Sequence, residues 1–398
     1  MVQEANANVI RFPDAARSDD SGRRLIPARL YEARLAKRLN QTELANLVGV
    51  KRQSISAYEN GSKNPEPHTM AAIAKNLGQP MSYFTREDLP TFGERSALFY
   101  RKVGQDTNRR NMACAVYSKW LGELAFSFEP IVNFPAIDLP AFEPEAPDGR
   151  YTVEEIERIA EETRLHLGLG LGPISNVVRL LEAKGVIVAR VEVPGEKIEA
   201  FSFWNGDRPF VFLASDKNSA VRSRFDVAHE LGHLVAHRWI GREDIEDPEC
   251  LKAIEKEADR FAAAFLLPRK SFPNEVYSPR LLAFVDLKKR WKVAIQAMIY
   301  RCKDLGIFDE RQVTNLYKEI SRKRWRTSEP LDGPDGIPFE QPLLLKKIAE
   351  LVVDSGKLSP DEIKASIRLS PEWISALAGV PPTFLAMNEE VVVEPTLK

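Results

Sequence analysis

Cysteine is scarce in this chain, and the three present, Cys114, Cys250 and Cys302, are isolated and odd in number. No pair has CxxC spacing, which argues against a disulfide framework or a cysteine metal site and fits reduced thiols in a cytoplasm. Long apolar runs are missing too, since no stretch reaches the roughly 18 residues that a membrane helix needs. The N-terminus, with Asp14, Asp19 and Asp20, lacks the charged-then-apolar order of a secretion signal. A cytoplasmic, unprocessed protein with no membrane partner is therefore expected. Net charge is also nearly absent, at -1 over 398 residues, so any contact with nucleic acid has to come from a local basic region. Histidine is the last scarcity: of five in the chain, His229, His233 and His237 fall within nine residues.

What is present is enough apolar material, 44% of residues, for two or three cores. Residues 1–22 are polar, without periodicity, and expected to be disordered. Residues 23–88 show short helical faces with tight connections, carried by Leu30, Leu44, Ile55 and Ile73. Residues 89–150 read as a helical connector from about Ala97 to Phe128, followed by a linker punctuated by Pro130, Pro135, Pro140, Pro144 and Pro147. A larger domain is expected over 151–328, opening with a Thr152/Glu155 capping box. Within it, strand-like runs span Val186–Val193, Ile198–Trp204 and Phe210–Leu213, the last two joined as an antiparallel hairpin by Asn205-Gly206-Asp207. Helical periodicity returns at Arg224–Trp239 and Leu251–Leu267. Residues 329–398 read as a linker and a small helical tail. The fold class is α+β: an all-α N-terminal domain, a helical connector, a domain with a small antiparallel sheet, and a mostly helical C-terminal region.

The clustered histidines lie in His229-Glu230-Leu231-Gly232-His233. Four residues apart on a helix is one face, so His229 and His233 can offer imidazole nitrogens to a single tetrahedral zinc. Glu230 can reach the metal-bound water, whose proton it would take as a general base during attack on a carbonyl. His237 lies about 12 Å from His229 along the axis and cannot share the ion. A third ligand must come from another helix, and Glu255-Lys256-Glu257-Ala258-Asp259 supplies carboxylates. Glu255 and Asp259 share a face, so Glu255 is the expected third ligand and Asp259 a hydrogen-bond acceptor for a ligand histidine, with surface pairing as the plainer alternative for Asp259. Glu257 points about 200° away from Glu255 and is expected to face solvent, though it stays open as the third ligand. Two nitrogens and a carboxylate also suit manganese or iron.

Taken with Asn218-Ser219, Arg222, Arg224-Phe225, Ala228, Leu234, Phe261-Ala262 and Leu266-Leu267-Pro268, the motif resembles the ImmA/IrrE family of zinc metallopeptidases over about Gly172–Pro268. The resemblance implies a zincin-like, gluzincin-like endopeptidase that cleaves a helix-turn-helix repressor or related partner in stress or mobile-element control. By analogy, the hairpin near Phe201–Leu213 would present an edge strand beside the metal to an extended peptide.

Residues 23–85 hold ten Lys or Arg against four Glu, a local excess of six positive charges, so the basic footprint is here. Asn40-Gln41-Thr42-Glu43-Leu44-Ala45, Val48-Gly49-Val50, Ile55-Ser56, Tyr58-Glu59-Asn60-Gly61 and Pro65 resemble the XRE/Cro helix-turn-helix family. Gln53 and Ser54 are placed to read base edges of double-stranded operator DNA, and Gln41, Lys51 and Arg52 to hold phosphates or bases. Such domains bind as dimers, so a homodimer is expected, with Ala97–Arg101 and the following helix as a dimerising connector. Three readings stay open: a DNA-binding regulator that cleaves a protein partner, a transcription factor whose peptidase-like domain senses a ligand or metal without turnover, and a peptidase that cuts its own proline-rich linker.

Overall fold

The computed structural model describes residues 24–96, 105–146, 149–191, 200–214 and 219–386. The expected disorder of residues 1–22, the connector segment Ala97–Arg101, and the positions of Ile198 and Asn218 lie outside the described residues.

Five helices form the N-terminal domain: α1 (Pro27–Ala36), α2 (Gln41–Val48), α3 (Arg52–Glu59), α4 (Pro67–Leu77) and α5 (Met81–Phe84). Asn40 starts α2 with a reciprocal box, its side chain accepting from the Glu43 N–H while the Glu43 carboxylate accepts from the Asn40 N–H. Gly49 ends α2 at φ 77°, so that α3 begins only three residues on, and Leu30, Leu44, Ile55 and Ile73 are wholly buried where the helices meet. The long helix α6 (Gln105–Phe128) then packs on this domain, the Tyr117 hydroxyl donating to the Ala36 carbonyl at 2.6 Å and Trp120 lying edge-on to Tyr83.

The rest of the chain is built around a three-stranded sheet of β1 (Ile187–Val191), β2 (Phe201–Asn205) and β3 (Arg208–Ala214), in the order β1-β3-β2. The β2–β3 hairpin is antiparallel as expected, but β1 pairs with β3 in parallel, so the sheet is mixed and not antiparallel throughout. The turn chemistry of the sequence determined the hairpin alone and carried no information about the third strand.

Both faces of this sheet are covered. Val188, Trp204, Val211 and Leu213 face a helical layer that contains α7 (Val153–His166), α8 (Val177–Ala183), α9 (Ala220–Ala236) and, past the short α10 (Arg242–Glu246), α11 (Pro248–Leu266). Helices α12 (Leu281–Trp291), α13 (Ile295–Asp304) and α14 (Glu310–Arg322) complete that layer. Ile187, Ala189, Phe201, Phe203, Phe210 and Phe212 face the other way, into one continuous core with α1–α6 and with α15 (Leu344–Asp354), α16 (Pro360–Ile367) and α17 (Pro371–Ala378). Within 329–398, expected as a linker and a small helical tail, the described helices pack on the sheet. A sheet apolar on both faces needs two covers, and α15–α17 supply part of the second.

The proline-rich stretch is likewise held in place, with the Asp138 N–H on the Lys184 carbonyl, the Phe142 N–H on the Val235 carbonyl and the Tyr151 hydroxyl on the Phe142 carbonyl. Thr152 and Glu155 form the capping box that begins α7. Helix α11 runs between α9 and α7, and its approach to α9 depends on Gly232. A Cβ there would sit 2.9 Å from the ring of Phe261, which is fully buried. This close approach brings the carboxylates of α11 to the histidines of α9.

Candidate functional site

His229 and His233, one turn apart on α9, are both buried and turn their Nε2 atoms to within 3.0 Å of each other. Across the helix pair, Glu255 of α11 places Oε1 3.3 Å from His233 Nε2 and Oε2 3.5 Å from His229 Nε2. The three donors lie within 4.8 Å of one another. Two nitrogens on one tetrahedral zinc lie roughly 3.3 Å apart, given Zn–N of about 2.0–2.1 Å, so the arrangement fits a small divalent cation. Burial would raise the Glu255 carboxyl, but hydrogen bonds and charge from His229 and His233 outweigh it and hold the group well below its ordinary value, as an anion.

The far nitrogens of both histidines are also held. His229 Nδ1 lies 2.8 Å from Asp259 Oδ1, and His233 Nδ1 lies 2.9 Å from His237 Nδ1, whose Nε2 is 3.0 Å from Glu257 Oε2. Glu257 in turn accepts the Tyr151 N–H. A histidine that binds metal through Nε2 keeps its proton on Nδ1. His233 therefore donates to His237, which must accept at Nδ1 and donate from Nε2 to Glu257. Burial supports that neutral state by pushing the His237 ring down to about 4, against the hydrogen bond it donates to Glu257. Glu257 is not the solvent-facing residue expected from its angle on the helix. It is buried, because α11 is enclosed on two sides and its second face meets the C-terminal end of α9 and the start of α7.

Glu230 is 4% exposed, and the Ser202 hydroxyl donates to its Oε2 at 2.7 Å. Ser202 lies on β2, so the sheet and the helix share in aiming this carboxylate.

In the N-terminal domain, Lys51, Arg52 and Gln53 are exposed at the start of α3, with Ser54 half-buried behind them. Gln41 is placed differently: its amide donates to Glu59 Oε2 at 2.9 Å, and Glu59 is itself gripped by Arg34 at 2.5 and 2.9 Å. Arg29 is spent in the same way on Glu32 and Asp88, so part of the positive charge counted in the sequence is internal structure. The exposed basic footprint is narrower than the count of ten implies, and it includes the start of α3.

Residues 30–84 match the helix-turn-helix family model, and residues 181–303 match a peptidase family model described as the IrrE N-terminal-like domain. The chain joins an XRE-type helix-turn-helix domain to an IrrE-like domain. Over 71 residues it is also 28% identical to the cryptic phage CTXphi transcriptional repressor RstR of Vibrio cholerae. That alignment covers 18% of this chain and 64% of the repressor.

Of the five residues named for the centre, His229, His233 and Glu255 bring their donor atoms together, Asp259 lies behind His229 on its Nδ1, and Glu230 is buried next to His229 on α9 and bonded to Ser202, all within the span matched by the IrrE-like model. Ser202, and the part Glu257 plays behind His237, escaped sequence reasoning. A serine in an apolar strand gives no signal of what it faces. For His237, four residues past His233 on the same helical face, the spacing was a usable signal. Among the described residues no helix is long and apolar enough to cross a membrane.

Proposed function

We propose that this chain is a transcriptional regulator that binds double-stranded operator DNA through residues 23–88, as a homodimer, and carries over 151–328 a zinc-dependent endopeptidase acting on a repressor-like protein partner, in stress response or mobile-element control. The observation that carries the reading is the donor triangle of His229, His233 and Glu255 with a buried carboxylate, Glu230, beside it. A divalent metal held by those three residues would supply Lewis acidity toward a scissile carbonyl and acidify water. Glu230 is then the proton carrier, taking a proton from the attacking water on a carboxylate oxygen and delivering it to the leaving amide nitrogen. Ser202 restrains that carboxylate from β2, while Asp259 and His237 hold the protons of His229 and His233 on Nδ1, which leaves both Nε2 lone pairs directed inward.

Glu230→Gln keeps the shape of the site and removes the proton acceptor. Metal analysis of the purified variant should give wild-type zinc content. Proteomes of cells carrying it should retain a repressor-like protein that wild-type cells lose. Unchanged cleavage of that purified partner by Glu230→Gln would overturn the catalytic assignment. A second reading, a sensor without turnover, is favoured by one feature: the outer edge of β2 is already covered at Trp204 and Asn205 by another part of the chain.

A further inference from the structure

An edge strand carries unpaired backbone groups and invites a partner strand. β2 is the outer strand of the sheet, yet all five of its residues are buried. At its C-terminal end the cover is a segment that follows the helix-turn-helix domain. Arg95 bridges Asn205 in antiparallel sense, the Ser96 N–H donates to the Trp204 carbonyl at 2.8 Å, and the Gly206 N–H donates to the Glu94 carbonyl at 2.7 Å. The Ser96 hydroxyl accepts the Trp204 N–H at 2.9 Å, and the Asn205 side chain accepts the Phe92 N–H and donates to the Gly93 carbonyl.

This docking is built for close backbone contact. Gly93, at φ 143°, and Gly206, at φ 57°, approach so nearly that a Cβ on Gly93 would lie 2.9 Å from the Gly206 Cα. The register has a direction. From Gly206 to Trp204 the segment runs back along β2 toward Ser202, the residue that holds Glu230. Because residues two apart in a strand present their backbone groups to the same side, Ser202 turns its N–H and C=O to the edge that Ser96 occupies at Trp204. Between Ser96, Ser202, Trp204, His233 and His237 only about 10 Å³ of space remains, at the lower limit for a single water.

Building on the peptidase reading, we propose that Gly93–Ser96 is a resident strand on the edge that captures substrate, and that an extended polypeptide partner enters by exchanging places with it. The occupant is the chain's own connector, tied at one end through Asp88 to Arg29 of the DNA-binding domain and to Lys119 of α6, and at the other to α6 through Arg95 on Ser118. The affinity of the edge for a partner is thereby lowered by the fraction of molecules in which the resident strand is docked.

Ser96→Pro removes the N–H that pairs with Trp204, and Gly93→Val independently forces the segment off Gly206. Ser96→Thr keeps both the backbone donor and the hydroxyl that accepts the Trp204 N–H, and serves as the control. Each is made in full-length, zinc-loaded Glu230→Gln protein, so that binding is read without turnover. Fluorescein-labelled β-casein, an unfolded polypeptide, is the probe. Amide exchange at Trp204 and Gly206 should rise in Ser96→Pro and Gly93→Val, and fluorescence anisotropy should show casein bound at least about ten-fold more tightly than by Glu230→Gln alone. Unchanged exchange in both variants, or raised exchange with unchanged casein affinity, would overturn the proposal. Casein hydrolysis is measured separately with Glu230 restored. Tighter binding without hydrolysis would count against the peptidase reading and leave the strand exchange standing.

Discussion

The metal centre and the DNA-binding face are built on opposite principles. At the centre every group with a role is buried or half-buried or is tied to a neighbour: His229 to Asp259, His233 to His237, Glu230 to Ser202. On α3, Lys51, Arg52 and Gln53 stand exposed, while the interior of the same domain consumes Arg29 and Arg34 in ion pairs. Chemistry on a small reacting group needs donors held to within a fraction of an ångström, which requires a supporting shell. Contact with a polyanion needs charge that can still move to meet phosphates. Burial therefore marks function in one region and marks scaffold in the other.

The comparison breaks first, if it breaks, at the ligands. His233→Ala removes one of three donors and should take bound zinc from about one equivalent to near zero in metal analysis, while the salt-dependent DNA affinity of the same preparation stays unchanged. Loss of DNA binding together with metal would mean that the two regions are not independent. The next largest effect is expected from Arg34, one of the ten cations counted over residues 23–85. Arg34 and Glu59 are 8% and 6% exposed, and removing one partner of a buried pair costs about 3–5 kcal/mol. Arg34→Ala should lower the unfolding free energy read from denaturant titration by that amount, whereas Arg52→Ala should change it by less than about 0.5 kcal/mol. Equal, small effects would place Arg34 with the contact residues.

The same contrast explains how much could be read from sequence. The histidine pair, the capping box at Thr152 and the hairpin at Gly206 are local patterns, each fixed within a few residues, and each is found where its pattern places it. Parallel pairing of β1 with β3 joins segments whose relation no turn specifies. The tail against the sheet is longer-range still, a consequence of Phe201, Phe203, Phe210 and Phe212 all needing cover on a face that the α9 layer does not reach. Glu257 was misplaced because its angle on the helix is defined relative to Glu255, whereas its burial depends on what packs behind α11. Ser202 shows the same limit within the site, since its partner lies 28 residues away on another element.

A smaller effect is expected one shell out from the ligands. Asp259 is 54% exposed at its side chain yet holds His229 Nδ1. Asp259→Ala should weaken zinc about 10- to 100-fold in chelator competition, as carboxylates behind a ligand histidine do, and Glu257→Gln should weaken it less, because it acts on His233 through His237. If Asp259→Ala binds zinc as the wild type does, the carboxylate is a surface partner and the shell at His229 is incomplete.

The smallest effects belong to α3, and they differ in kind. Lys51 and Arg52 are exposed, so each contributes to binding by releasing a counterion when it meets a phosphate. The double change Lys51→Ala with Arg52→Ala should flatten the slope of log K against log salt by about 2 and weaken operator and random DNA alike. Gln53 has no charge to release, and as a base-edge reader its replacement by alanine should leave the slope alone and cost about 1–3 kcal/mol of discrimination against a wrong base. The two variants together separate attraction from reading. A slope that does not move in the Lys51/Arg52 variant would shift the phosphate-binding surface off α3, to the other exposed cations of the domain such as Lys37 and Lys63.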